Sequence, residues 1–249
     1  MSFVLKPVQL PKKINRCPIR EAVIELRFDS PFPLDAIFGI FYKEFQKDFP
    51  NPPEELPILQ LPEMVRRSDP NLKYQPYYKL TQNDTFLCQV GGRVFSIISM
   101  EPYVGWSGFF EKTKDMLRRI QSIAILDKYT RLGIRYINTF DNLNIFEKVN
   151  IATLMNGTSF TELANEINLL VPMGDFTSKL HIANSARITK KINQKDIFSE
   201  GSVIDIDTYI QNPTKDILEL IEAGHNEEKK LFFGLLREEF IKTELNPEY

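Results

Sequence analysis

Cysteine and histidine are scarce in this sequence, which has two of each among its 249 residues. Cys17 and Cys88 form no CxxC pair, and neither has metal-ligand spacing to His181 or His225. The scarcity argues against a disulfide framework and against a zinc site built from neighbouring ligands. We expect both cysteines to be buried thiols in a reducing cytosol.

Long apolar runs and an excess of positive charge are also lacking. No apolar run approaches the length of a membrane-spanning helix, and residues 1–18 have neither the apolar core nor the cleavage site of a signal peptide. The formal net charge is -2, so there is no chain-wide basic field for nucleic acid, although a local patch stays open. These absences predict a cytoplasmic protein that uses neither a membrane nor nucleic acid as a partner.

Motifs that hold phosphates or organise catalysis are missing as well. The chain has no GxGxxG, GxxxxGK[ST], GxSxG or HExxH pattern, and Gly91-Gly92 is typical of a hairpin turn. A Ser-His-Asp arrangement assembled from distant residues stays open, because triad members need not be close in sequence. We expect no cofactor.

Apolar residues, by contrast, are plentiful. Hydrophobic residues make up 43% of the chain, with nineteen Phe against one Trp. Phe packs without needing a hydrogen-bond partner, so this composition indicates a thick apolar core. The length suits one large domain or two halves.

The segment 131–140 is the clearest strand. Leu132, Ile134 and Tyr136 alternate with Arg131 and Arg135, the period of a strand with one buried face.

This segment has an earlier counterpart at a constant offset. Tyr136 lies 108 residues after Phe28 (136 − 28), and the same offset relates the following pairs: Arg27 with Arg135, Phe32 with Phe140, Ile37 with Ile145, and Phe38 with Phe146. A constant offset predicts an internal duplication. The alternative is that any two strand–turn–helix segments look alike.

The remaining elements follow from periodicity and turn residues. The sequence predicts further strands at 21–28, 77–81, 85–90, 93–100, 160–171, 176–189 and 203–210, the last after a turn at 199–202. It predicts helices at 34–49, 106–126 and 145–155, and a final helical region from Asn212 that Gly224 divides. The Pro-rich segment 50–76 is read as a short strand at 57–61 followed by a loop.

These elements predict an α+β fold. It has an N-terminal arm at 1–17 and two strand-helix-meander-helix halves, 18–128 and 129–249, in one continuous globular unit. Two such halves would share a curved, mainly antiparallel sheet with helices on one face. This element order resembles TATA-binding-protein-like folds, a resemblance that carries no function by itself.

Four stretches also resemble a known family: Pro18–Phe28 with its Pro-Ile-Arg-Glu start, the helix start at Trp106 to Phe110, residues 131–138, and His225 followed by Phe232. They resemble a sporadically distributed family of uncharacterised bacterial proteins of about this length. The resemblance implies a bacterial or phage-related cytosolic protein. It implies no activity and transfers no catalytic residue.

The candidate functional residues lie on the non-core face of the predicted sheet. They are Glu25 and Arg27 on the first strand, Arg131 and Arg135 on its counterpart, Asp205 and Asp207 on the late strand, and His181 and Arg187 on a middle strand. Asp205 and Asp207 share a face and have the oxygen ligands that Mg²⁺ prefers. Outward charges on an antiparallel sheet are more often solvated or paired across strands.

Arg27 and Arg135 support a sharper hypothesis, because guanidinium groups bind carboxylate or phosphate through two hydrogen bonds. Symmetric placement of these two arginines would clasp an anionic small molecule or a protein tail. We therefore expect a non-enzymatic ligand- or protein-binding module, with a homodimer as an option. The alternative is a metal-dependent hydrolase or phosphotransferase that uses Asp205 and Asp207. His225, after Gly224, would cap a helix or lie at an interface.

Overall fold

A computed structural model describes residues 8–70, 72–192 and 195–249. Its strands are β1 (Lys13–Ile14), β2 (Ile19–Asp29), β3 (Glu54–Glu55), β4 (Tyr78–Asn83), β5 (Phe86–Val90), β6 (Val94–Met100), β7 (Lys128–Asp141), β8 (Leu154–Met155), β9 (Thr158–Ser159), β10 (Glu166–Met173), β11 (Phe176–Ile192), β12 (Lys195–Gln211) and β13 (Pro247–Glu248). Its helices are α1 (Leu34–Phe45), α2 (Glu63–Ser68), α3 (Trp106–Ser122), α4 (Ile217–Leu235) and α5 (Glu238–Phe240).

The α+β class and the large antiparallel sheet are confirmed. The hydrogen-bonded strand order is β10-β11-β12-β7-β2-β6-β5-β4-β3. The pairs β2–β6, β4–β5, β5–β6 and β10–β11 are all antiparallel. The predicted meander between the first two long helices is present as β4, β5 and β6.

The chain divides into two compact units. Unit 1 comprises the chain up to Arg20 together with Arg135–Thr208 and Ala223–Tyr249, and unit 2 comprises Glu21–Ile134 and Tyr209–Glu222. No helix in the described part of the chain is long and apolar enough to cross a membrane.

In unit 2, one face of the sheet is apolar because alternate residues of β2 are apolar. Ala22, Ile24, Leu26 and Phe28 are all buried. Leu26 pairs with Phe95 of β6, and α1 covers that position, since the rings of Phe41 and Phe95 lie 5.1 Å apart. Helix α3 covers the same face, with Met116 Sδ 3.7 Å from Cys88 Sγ on β5. Both long helices of unit 2 therefore pack on one face of its strands.

An ion pair joins these two helices at their outer surface. Arg119 of α3 donates from Nε to Glu44 Oε1 of α1 at 2.9 Å and from Nη2 to the Glu44 carbonyl oxygen at 2.8 Å. Its guanidinium also lies 4.3 Å from the centre of the Phe45 ring. The contact covers the end of α1, which stops at Phe45 rather than at the predicted residue 49.

In unit 1, helix α4 covers the apolar side of β7 and its neighbours. Tyr136 and Phe140 of β7 are buried, and the Phe140 ring packs edge-on against Phe240 of α5. Ser178 of β11 and Thr208 of β12 are both buried and satisfy each other through a 2.7 Å hydroxyl contact.

The N-terminal arm contributes a small second sheet within unit 1. Strand β1 pairs antiparallel with β13 at the end of the chain. Both cysteines were predicted to be buried. Cys88 is buried as predicted, whereas the prediction is wrong for Cys17, which is exposed. Cys17 follows β1 in the part of the arm that lies at the surface.

The predicted helix at 145–155 is wrong. Only a single 3₁₀ turn forms, Ile145–Glu147, with Asn144 as its cap. The chain then leaves the helical path because Val149 forms a β-bridge with Leu236 and Asn150 N donates to the Leu235 carbonyl. Long-range backbone pairing therefore replaces the local helix.

Two turn predictions based on glycine are also wrong. Helix α4 runs unbroken through Gly224, and β12 runs through the expected turn at 199–202. Gly201 serves close packing instead: a Cβ atom there would lie 2.3 Å from the Phe140 carbonyl oxygen and 2.6 Å from Ile188 Cδ1.

The Pro-rich segment and the start of the long hairpin differ from expectation too. Residues 57–61 form a 3₁₀ turn (Pro57–Gln60) rather than a strand, because Pro57 opens it at the first turn position, and the expected loop contains α2. Strand β10 starts at Glu166 instead of residue 160, because Leu163 N closes a turn on the Phe160 carbonyl.

Gly201 and Gly39 provide a matched test of this packing. We expect Gly201→Ala to lower the free energy of unfolding by about 1–3 kcal/mol, because the new methyl group meets backbone atoms. Gly39→Ala, at an exposed site of α1 with no atom within 4 Å, should raise it by about 1 kcal/mol through helix propensity. Urea denaturation measures both, and equal effects of the two substitutions would contradict the packing.

Candidate functional site

One carboxylate in unit 2 binds two arginines. Glu25 Oε1 accepts hydrogen bonds from Arg27 Nε at 2.8 Å and from Arg131 Nη1 at 2.7 Å. Each guanidinium also covers an aromatic ring, Arg27 at 4.9 Å from the centre of Tyr74 and Arg131 at 4.7 Å from the centre of Tyr209. We call these five residues the arginine cluster.

Strand alternation explains why these charges meet. On β2, Glu25 and Arg27 point away from the face that buries Leu26 and Phe28, and on β7 Arg131 alternates with the buried Leu132. Sequence reasoning placed Glu25, Arg27 and Arg131 on one face, and the structure brings them into contact.

The two arginines differ in their access to solvent. The side chain of Arg131 is only 8% exposed, so its charge requires the Glu25 carboxylate beside it. The side chain of Arg27 is 32% exposed. Its Nη1 and Nη2 atoms donate no hydrogen bond within residues 8–70, 72–192 and 195–249. The cluster therefore presents one guanidinium edge to the outside.

Two cations lie at the Tyr74 ring beside the Glu25 carboxylate. Arg27 is 4.9 Å from the ring centre, and Lys73 Nζ is 5.0 Å from it. Aromatic rings attract cations through their negative faces, which holds Arg27 and Lys73 near each other despite their like charge. The arrangement can accept an anion.

Sequence reasoning missed Tyr74, Lys73 and Tyr209. Tyr209 has a signal, because it continues the odd-numbered alternation of Asp205 and Asp207 along β12. Tyr74 and Lys73 lie in the Pro-rich connection, where no periodicity reports which face a residue joins.

Arg135 and Asp205 form a separate pair in unit 1. Arg135 donates from Nε to Asp205 Oδ1 at 2.8 Å and from Nη2 to Oδ2 at 2.6 Å, a two-bonded contact that uses both carboxylate oxygens. Asp207 lies two residues further on the same face of β12. No group of three His, Cys, Asp or Glu side chains able to hold a metal occurs among the described residues.

The other two candidates contact residues of their own hairpin region. His181 Nε2 on β11 lies 3.2 Å from Glu166 Oε1 on β10 without hydrogen-bond geometry. The guanidinium of Arg187 lies 3.8 Å from the centre of the exposed Phe198 ring. Neither contact assembles a catalytic group.

A second set of polar residues lies under helix α4 in unit 1. His225 Nδ1 is 3.0 Å from the hydroxyl oxygen of Tyr136, and Lys229 Nζ donates to the Pro11 carbonyl at 2.5 Å. Burial lowers the pKa of His225 to about 3, with a further lowering from Lys229. His225 lies inside α4 rather than at its end, so it does not cap the helix, and its partly buried ring contacts Tyr136.

Glu228 is the unusual member of this set. It is 5% exposed and belongs to the buried stripe of α4 that contains Ile221 and Leu231. Within the part of the chain that the structure describes it forms no hydrogen bond or ion pair. Burial raises the pKa of its carboxyl from 4.5 to about 8, against the opposing effect of Lys229.

The chain was compared with known proteins. No protein-family model matches it, and no curated protein matches it significantly. The functional conclusions below therefore depend on the residues and contacts of this chain.

Glu228 and His225 generate a prediction for the pH dependence of stability. The folded state holds the Glu228 proton up to a pKa of about 8 and the unfolded state releases it near 4.5, so stability falls as pH rises through that window. The low pKa of His225 acts oppositely, because stability is lost as pH falls from 6.5 towards 3. The two windows overlap between pH 4.5 and 6.5, where the opposing effects cancel, so we expect a plateau of stability there and a decline on either side.

The variant Glu228→Gln should remove the fall in stability that occurs as pH rises from 4.5 to about 8, because an amide does not titrate. Its free energy of unfolding at pH 7 should exceed that of the wild type by on the order of 3 kcal/mol, and the difference should vanish near pH 4. Glu227→Gln, which changes the neighbouring carboxylate that pairs with Lys230 at 2.7 Å, is the matched control and should keep the wild-type profile. Denaturant unfolding at several pH values measures this, and an unchanged decline above pH 6.5 in Glu228→Gln would contradict the assignment.

Proposed function

We propose that the protein is a non-enzymatic binding module that recognises an anionic group, a carboxylate or a phosphate, at the exposed edge of Arg27. The group belongs to a small molecule or to a protein partner. The observation that carries this proposal is the bonding of Arg27, whose Nε donates to Glu25 while its Nη1 and Nη2 atoms have no hydrogen-bond partner among the described residues.

The contacts around Arg27 support binding by a prearranged donor. Glu25 holds Nε and the Tyr74 ring lies against the guanidinium plane, so the side chain has already lost much of its rotational freedom. Binding then costs less ordering entropy than it would for a free surface arginine. The N–H groups of Nη1 and Nη2 on the remaining edge match the two oxygens of a carboxylate or phosphate.

The enzyme alternative has weaker support at the residues on which it depends. Asp205, one of its two proposed metal ligands, already has both oxygens bound by Arg135. Metal binding there would have to displace a two-bonded guanidinium. Arg135 already donates to Asp205 from Nε and Nη2. The anion site is therefore proposed at Arg27 rather than as a symmetric clasp of both arginines.

We also propose that the two halves of the chain descend from a duplicated unit with TATA-binding-protein-like element order. The supporting feature is the strand order, which is β2-β6-β5-β4 in the first half and β7-β12-β11-β10 in the second. Each half thus places its first strand beside its last. Membership of the sporadic bacterial family and action in the cytosol stay part of this proposal.

Substitution of Arg27 tests the binding proposal. Isothermal titration with inorganic phosphate and with succinate should give saturable binding to the wild type for at least one of the two. Arg27→Ala should weaken that binding by about tenfold or more, which corresponds to about 1.4 kcal/mol. Arg27→Lys should not restore it, because an ammonium lacks the two-edged geometry.

Arg118→Ala is the control, since Arg118 is an exposed arginine on α3 and its loss changes net charge equally. It should bind as the wild type does. Binding that is unaffected by Arg27→Ala, or absent for both anions, would contradict the proposal. A Mg²⁺-dependent rise in melting temperature that Asp205→Ala abolishes would favour the enzyme alternative instead.

A further inference from the structure

Strand β10 is an end strand of the nine-stranded sheet, and one row of its backbone groups has no partner among the residues that the structure describes. It pairs with β11 in the register Glu166↔Ala183 to Met173↔Phe176, and Asn184 N donates to the Asn165 carbonyl. Antiparallel pairs alternate between hydrogen-bonded and non-hydrogen-bonded positions. Residues 165, 167, 169, 171 and 173 therefore point their backbone groups towards β11, and Glu166, Asn168 and Leu170 point theirs outward.

Apolar side chains accompany this open edge. Leu170 is 68% exposed and Leu169 is 45% exposed, and they project to opposite sides of the strand. Leu163, three residues before β10, is also exposed. An edge strand of eight residues with exposed leucines on both sides is a surface on which another strand can pair.

The strand at the other end of the sheet, β3, has features that discourage pairing with a strand of another chain. Strand β3 has only two residues, Glu54 and Glu55, and both are exposed acids. Short length and charge discourage edge pairing. Strand β10 has neither Lys nor Arg, its only charge is Glu166, and its only proline is Pro172, one residue from its end.

We propose that a second copy of this chain pairs with β10 in an antiparallel arrangement whose twofold axis passes between the two Asn168 residues. In that register Glu166 of one copy faces Leu170 of the other, and Asn168 faces Asn168. Every outward N–H and C=O of these three residues then finds a partner. Pro172, which has no N–H to donate, faces residue 164 and is not required.

Charge and side-chain pairing favour a second copy as the occupant. Each Glu166 faces a leucine, so no like charges lie directly opposite across the axis. On the other side of the sheet Ile167 faces Leu169 of the second copy, which covers a half-buried and an exposed apolar side chain together. The two Asn168 amides meet at the axis and can bond each other in place of Glu166, to which each now donates at 3.0 Å.

Sedimentation of the full chain tests the pairing. The wild type should show a concentration-dependent species of twice 29.0 kDa. Asn168→Pro removes an outward N–H without touching the bonds to β11 and should weaken the dimer by about tenfold or more. Asn168→Lys should act similarly, because it sets two like charges against each other at the axis.

A single 29.0 kDa species at every concentration would overturn the proposal. So would a dimer that persists unchanged in both Asn168 variants while circular dichroism shows the wild-type spectrum. Capture of an unrelated peptide by a monomeric wild type would likewise count against a second copy.

Cysteine crosslinking tests the register in a Cys17→Ser background. Asn168→Cys should form a disulfide-linked dimer on mild oxidation, since hydrogen-bonded antiparallel pairs have Cα atoms about 5.5 Å apart, within the range a disulfide spans. Glu166→Cys alone should stay uncrosslinked, but mixed with Leu170→Cys it should crosslink. Efficient self-crosslinking of Glu166→Cys with none at Asn168→Cys would overturn the proposed axis.

Discussion

The buried charge of Arg131 is the constraint around which the polar face of unit 2 is arranged. A guanidinium that is 8% exposed is costly unless a carboxylate compensates it, and Glu25 contributes such a carboxylate at 2.7 Å. Because Glu25 is shared, Arg27 is drawn into the same cluster by its Nε alone. The Nη1 and Nη2 atoms of Arg27 therefore have no hydrogen-bond partner in the part of the chain that the structure describes.

The two faces of the strands carry different side chains, apolar on the core face and charged on the opposite face. On the core face, alternate apolar residues of β2 and β7 form the surface on which helices α1, α3 and α4 pack. The buried polar side chains of Ser178 and Thr208 on this face hydrogen-bond each other. On the opposite face, Glu25 binds two arginines and Arg135 binds Asp205. Glu228 is the exception on the core side, since its carboxyl has no hydrogen-bond partner among the described residues and burial raises its pKa to about 8.

The sequence predicts features that depend on neighbouring residues better than features that depend on contacts between distant parts of the chain. Period-two alternation was sufficient to assign Glu25, Arg27 and Arg131 to one face of the sheet, because a strand fixes the direction of every second side chain. It could not find Tyr74, whose position over Arg27 depends on the path of an irregular connection. The helix expected at 145–155 failed because Val149 and Asn150 pair with the end of α4, eighty-odd residues away. Gly201 looked like a turn, yet its role is close contact with Phe140, which only the folded chain reveals.

The most direct measurement of the central claim is a double-mutant cycle at Glu25 and Arg131. Glu25→Gln is expected to cost about 3 kcal/mol of unfolding free energy, because it removes a carboxylate from the buried Arg131 guanidinium. Arg131→Met should cost less, because Glu25 is 26% exposed and keeps Arg27 as a partner, and the double variant should cost well under the sum. A coupling energy of about 2 kcal/mol or more would support the account. Costs that add to within about 0.5 kcal/mol would show that the two side chains do not depend on each other, and would contradict it.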